Sequence, residues 1–114
     1  MFENRLRKAI IVEGKTDKER LLGVLDEPVD IVCTFGTMSI DKIEELMEIS
    51  EYNEVYVFVD ADEAGQNLRR KIKNEYPQIK DLFTRKKYKE VATTPIDELT
   101  KILNIAHFLV KDNS

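Results

Sequence analysis

"FVDADEAGQNLRRKI", residues 58–72, sets an apolar run, two aspartates two residues apart and a basic helix in immediate succession. Upstream of it, "EVYVFVD" (54–60) is the strongest strand signal of the chain, β-branched and aromatic with few polar interruptions. Downstream, Ala64, Leu68, Ile72 and Tyr76 recur at steps of four, and Pro77 closes the helix they define. Asp60 and Asp62 therefore stand where a strand hands over to a helix.

The same alternation holds on both sides of this stretch. "AIIV" (9–12) is a short β-branched strand, and the helix after it places Leu21, Leu22 and Leu25 on one stripe. "VDIVC" (29–33) repeats the strand signal, "TFGT" (34–37) supplies a glycine turn, and Ile40, Ile43, Leu46 and Met47 give the next helical face. "IKDLFT" (79–84) reads as a fourth strand and "RKKYKEVATT" as loop or short edge. In "TPIDEL", Thr94 is expected as cap and Pro95 at the first helical position, with Leu99, Ile102, Leu103 and Ala106 continuing the apolar face of a last helix. Alternating strands and helices imply parallel pairing with helices on both sheet faces. The expected architecture is a Rossmann-like three-layer α/β/α sandwich on a mainly parallel four-stranded sheet. Residues 1–114 are read as one domain, with its core over about 8–106.

In such sheets a ligand sits beyond the carboxyl ends of the strands. Glu13 ends the first strand, Gly36 follows the second, and Asp60 and Asp62 end the third, so all fall on one rim. If the first and third strands are neighbours, the three acids lie close together. Two carboxylates about 4 Å apart repel by roughly 4 kcal/mol at an effective dielectric near 20, or about three pKa units. Either one of them keeps a proton or a cation sits among them. An all-oxygen set without His or Cys suits a hard ion such as Mg²⁺, for which Mn²⁺ is the expected substitute. The plainer reading is that Asp62 is only a helix N-cap, with Glu63 favourable in the first turn, and Glu13 an exposed strand end. Gly14 and Gly65 sit beside the acids where the backbone turns or approaches a ligand closely.

"IIVEGKTD" and "VFVDADEAGQNLRRKI", with "TFGT" between them, together resemble the Toprim domain shared by primases, type I and type II topoisomerases, some nucleases and the maturase of 5S ribosomal RNA. The likeness spans about residues 8–100 and is nearest to small stand-alone bacterial Toprim proteins and the maturase. It implies that Glu13 is a general acid or base in making or breaking a phosphodiester, and that Asp60 and Asp62 hold Mg²⁺, with Glu13 as an alternative ligand. It also implies that Gly14, Gly36 and Gly65 form the backbone of the site.

Charge bears on the partner. The net charge of -4 excludes coating nucleic acid by bulk attraction, yet residues 69–89 carry nine Lys or Arg against Glu75 and Asp81. Arg69, Arg70, Lys73, Arg85, Lys86, Lys87 and Lys89 are candidate phosphate contacts, with Tyr88 able to stack, and Lys15 is a nearer one in the turn after Glu13. A solvated helix face followed by a charged loop explains the same residues without function. Cys33 is the only cysteine, which excludes an intrachain disulfide or a zinc cluster and fits a cytoplasmic protein; it is read as a small core residue and the lone His107 as a surface or packing residue. No apolar run is long enough for a membrane span.

Two functions fit. One is Mg²⁺-dependent nucleotidyl transfer or nuclease-type hydrolysis on RNA or DNA. The other is a non-catalytic accessory module that binds metal and either nucleic acid or a protein partner supplying the substrate. A receiver-like domain or a D-x-D phosphatase is disfavoured, because both place paired acids after the first strand.

Overall fold

The computed structural model describes residues 7–35, 44, 54–84 and 88–111. The expectations for Gly36, Thr37, Ile40, Ile43, Leu46, Met47, Arg85, Lys86 and Lys87 lie outside these residues. Four strands, β1 (Lys8–Val12), β2 (Val29–Cys33), β3 (Glu54–Phe58) and β4 (Lys80–Leu82), form one sheet in the order β2-β1-β3-β4. Every pairing in it is parallel. The registers Val12↔Cys33, Ile11↔Val57 and Phe58↔Leu82 bring the carboxyl ends to one edge of the sheet. β1 and β3 are neighbours, as the rim reading requires.

Side chains alternate across a strand, and the two faces bury separate cores. Ile10, Val12, Tyr56 and Phe58 face one way and pack with Leu21 and Val24 of α1 (Lys15–Val24) and with Leu99 and Leu103 of α3 (Ile96–Ile105). Ala9, Ile11, Val55 and Val57 face the other way and meet Leu68 and Ile72 of α2 (Glu63–Glu75). All five residues of β1 are buried, as befits a central strand covered on both sides. The buried ammonium of Lys8 is compensated at the far end of the sheet by Glu27 Oε1 at 3.0 Å and the His107 carbonyl at 2.7 Å.

Several residues depart from the sequence reading, among them Ala64, which is exposed on α2 while Gly65 is buried. Leu22 is 46% exposed, and Val24 takes its expected place on the buried stripe of α1. Leu25 is buried, but beyond the helix, where it forms a bridge with Val110. Thr94 does not cap α3. It is fully buried in the turn before the helix and its hydroxyl donates to the Glu90 carbonyl at 2.7 Å, so Pro95 occupies the cap position. Among the described residues no helix is long and apolar enough to cross a membrane.

Two glycines in helices give opposite expectations. A β-carbon on Gly23 would meet nothing within 4 Å, whereas one on Gly65 would lie 2.0 Å from the Asp60 carbonyl oxygen. Gly23→Ala should therefore raise stability by up to about 1 kcal/mol through helix propensity. Gly65→Ala should lower it by about 1–3 kcal/mol through overpacking. Urea unfolding of the two variants checks both signs.

Candidate functional site

Glu13 follows the last residue of β1, and its Oε1 accepts the Asp60 backbone N–H at 2.8 Å. Its own carbonyl accepts the Phe35 N–H at 2.6 Å, just beyond β2. One residue thus ties the ends of three adjacent strands together. The bond from Glu13 to Asp60 joins positions 47 apart in the chain.

Asp60 is fixed by a loop from which the sequence reading took only phosphate and stacking contacts. Its Oδ1 accepts the Val91 N–H at 2.8 Å, and the neighbouring Ala61 N–H donates to the Lys89 carbonyl at 2.6 Å. Arg20 of α1 secures the same loop by donating to the Thr94 carbonyl. Asp62 is the N-cap of α2, its Oδ1 accepting the Gly65 N–H at 2.7 Å, so the plainer reading of this residue describes a real bond. That bond engages one carboxylate oxygen. Gly65 is demanded by the close approach of the Asp60 carbonyl. Gly14 is extended and has room for a β-carbon, so neither space nor dihedral angles require glycine there.

A fourth acid belongs to this neighbourhood. Asp17, 8% exposed, accepts the Gly14 N–H on Oδ2 at 2.9 Å. The signal that could have found it is its place in the first turn of α1, three residues after Gly14, where a carboxylate reaches back to a cap amide. The Glu13 carboxyl is lifted above the ordinary carboxylate range by burial; the Asp60 N–H opposes this, and the charges of Asp60, Asp62 and Asp17 add to it. Asp17 is likewise lifted, first by burial, against the pull of the Gly14 N–H, with Asp60 and Glu90 adding repulsion. These acids share one field.

The donor set suits a hard cation that takes few protein ligands. Glu13, Asp60 and Asp62 each accept one backbone N–H on one carboxylate oxygen. Among the described residues, no three acidic, His or Cys side chains converge closely enough to enclose an ion. A cation that takes one or two carboxylates and completes its shell with water or phosphate oxygens suits this arrangement, and a closed protein cage does not.

The predicted basic residues divide. Arg69, 7% exposed, donates to Asp81 Oδ1 at 2.9 Å and to the Leu82 carbonyl at 3.2 Å. Lys73 donates to Asp81 Oδ2 at 3.0 Å and to the Ile79 carbonyl at 2.7 Å. Both brace β4 against α2 instead of standing free for phosphates. Arg70, Lys15 and Lys89 are exposed, and Lys89 borders the acids through its carbonyl bond to Ala61. Cys33 is half-buried, its thiol 3.6 Å from the Gly14 carbonyl, and His107 is exposed at a positive φ of 69°.

The family model described as Toprim domain matches residues 8–94. A Bacillus subtilis (strain 168) protein described as uncharacterized protein YusF is 43% identical over 103 residues, which are 90% of this chain and 70% of that protein. Ribonuclease M5 of Mycoplasma capricolum is 28% identical over 120 residues, 96% of this chain and 66% of the ribonuclease. The solved structure of a small TOPRIM domain protein from Bacillus stearothermophilus superposes with a TM-score of 0.86 at 45% identity, covering 95% of this chain and 92% of that one.

The lifted carboxyls fix the sign of a pH effect. A carboxyl whose value is higher folded than unfolded binds more protons in the native state, so stability falls as pH rises from the ordinary value near 4.5 for Glu13, or 3.8 for Asp17, to the folded one. Above that window the full cost of ionising both remains. Glu13→Gln and Asp17→Asn keep an oxygen for the amide bonds and remove the charge. Each should unfold at higher urea than the parent at neutral pH, with the gain shrinking toward pH values below the ordinary carboxylate range.

Proposed function

This chain belongs to the Toprim domain family, and on that premise we propose that its carboxylate rim performs Mg²⁺-dependent cleavage or transfer at a phosphodiester of nucleic acid. The observation that carries the reading is the Glu13–Asp60 bond, which makes one site of two motifs distant in sequence. The relatives named Ribonuclease M5 make RNA the first substrate to try, although this chain spans only part of their length.

In this reading Asp60 and Asp62 hold the ion with the carboxylate oxygens left by their N–H bonds. A Mg²⁺ bound there would offset negative charge gathering on the phosphoryl oxygens. Glu13 carries the proton. Its raised pKa leaves it more readily protonated than a surface glutamate, and the Asp60 N–H holds one oxygen, which leaves the other for the reacting group. The amide of Val91 orients the Asp60 carboxylate, and the exposed Lys15, Arg70 and Lys89 would meet the flanking phosphates.

Cleavage of labelled RNA and DNA in Mg²⁺ tests the reading. Glu13→Gln should lose on the order of 10²–10⁴ of the rate, the usual share of a positioned proton carrier. A variant as active as the parent would refute that role. Nucleic acid bound in Mg²⁺ but never cut would favour an accessory binding module. Lys89→Ala should weaken nucleic-acid binding evenly across sequences and reduce the logarithmic salt slope by about 1, as measured by anisotropy titrations at several ionic strengths.

A further inference from the structure

The loop that orients Asp60 has an anchor of its own on α1. Two bonds join this loop to the end of β3: the Val91 N–H donates to Asp60 Oδ1 at 2.8 Å, and the Ala61 N–H donates to the Lys89 carbonyl at 2.6 Å. The loop then folds back on itself. The Thr94 N–H donates to the Val91 carbonyl at 3.3 Å, and the Thr94 hydroxyl to the Glu90 carbonyl at 2.7 Å. Val91 and Thr94 are fully buried, and the Val91 side chain lies in the core cluster that α1 and α3 share. Arg20 reaches over from α1 and donates a guanidinium N–H to the Thr94 carbonyl, 74 positions away in the chain.

The donors of Arg20 are used unevenly. Its Nε is buried and meets no acceptor among the described residues. A buried donor left unbonded is unfavourable. The position of the guanidinium is thus set by the Thr94 carbonyl and not by saturation of its own donors.

The consequence reaches the acidic rim. A carboxylate takes a metal through lone pairs whose directions follow its torsion angle, and the Val91 N–H occupies one of those on Asp60, which fixes the ones left for an ion. A turn that moved away from α1 would carry the Val91 N–H with it, and Asp60 would rotate among its other staggered positions. The buried Val91 side chain pins the turn at one point, about which the turn can still swing. The Arg20 bond pins it at a second, at Thr94.

We infer that Arg20 is a positioning residue for the metal: through the turn from Glu90 to Thr94 it holds Asp60 in the orientation that takes Mg²⁺. The inference rests on the phosphodiester reading above and adds a residue outside the acidic rim that sets the strength of metal binding.

The test is calorimetric titration of Mg²⁺ alone into the full chain, compared with Arg20→Met and Arg20→Lys. Both substitutions keep a long apolar stem, and only lysine keeps a donor. Groups that orient a metal ligand are worth about 10- to 100-fold in affinity, so Arg20→Met, acting through the turn, should weaken Mg²⁺ about tenfold and Arg20→Lys less than about threefold. Amide hydrogen exchange followed by NMR separates positioning from general stability. Val91 should lose protection in Arg20→Met while Ile11, buried in the central strand, keeps it. A methionine variant that binds Mg²⁺ as the parent does, or one in which Val91 and Ile11 lose protection alike, overturns the positioning role. If the parent binds Mg²⁺ and cleaves nucleic acid in that case, the phosphodiester reading stands without it. A parent that binds no Mg²⁺ removes both.

Discussion

The hydrogen bond from the Asp60 backbone N–H to the Glu13 carboxylate closes the rim on which the rest of the site depends. It crosses between adjacent parallel strands just where both end, so it exists only because β1 and β3 pair in the observed register. A shift of that register by one residue would carry alternate side chains to the opposite face and exchange the two cores. The buried strands thus do two tasks. They supply apolar surface on both sides of the sheet, and they fix the relative position of acids that repel one another.

Among the described residues, the partners that hold those acids against their repulsion are main-chain donors instead of basic side chains. Asp60 N–H serves Glu13, Val91 N–H serves Asp60, Gly65 N–H serves Asp62 and Gly14 N–H serves Asp17. Each donor stabilises the carboxylate it meets without neutralising its charge. The neighbourhood therefore stays negative, which a bound cation would relieve. This is also why the first turns of α1 and α2 lie beside the site: both helix starts provide amides directed at carboxylates.

Much of this was legible in the sequence because it depends on local pattern. The β-branched runs of β1, β2 and β3 and the four-residue spacing in α2 followed directly from side-chain periodicity, and strand ends at Glu13 and Asp60 placed the acids on one rim. What stayed hidden depends on contacts distant in the chain. The 88–94 loop gives no periodic signal, and its part in the site comes from the amide of Val91 and the carbonyl of Lys89, which side-chain identity does not reveal. Thr94 matched a cap by type, but a carbonyl four residues back claimed its hydroxyl. Arg69 matched a phosphate contact by charge, but Asp81, presented by β4, engages it under Phe83. Charge in a sequence does not tell whether a partner will reach it first.

The central claim is that Glu13 belongs to one electrostatic unit with Asp60 and Asp62. NMR titration of the isotopically labelled Glu13 carboxyl carbon tests it most directly, in the parent and in Asp60→Asn, with and without Mg²⁺. The account predicts a parent pKa above the ordinary value of 4.5, a lower one once the Asp60 charge is removed, and a downward shift on adding Mg²⁺. A Glu13 carboxyl that titrates at its ordinary value and responds neither to the substitution nor to the ion would contradict it.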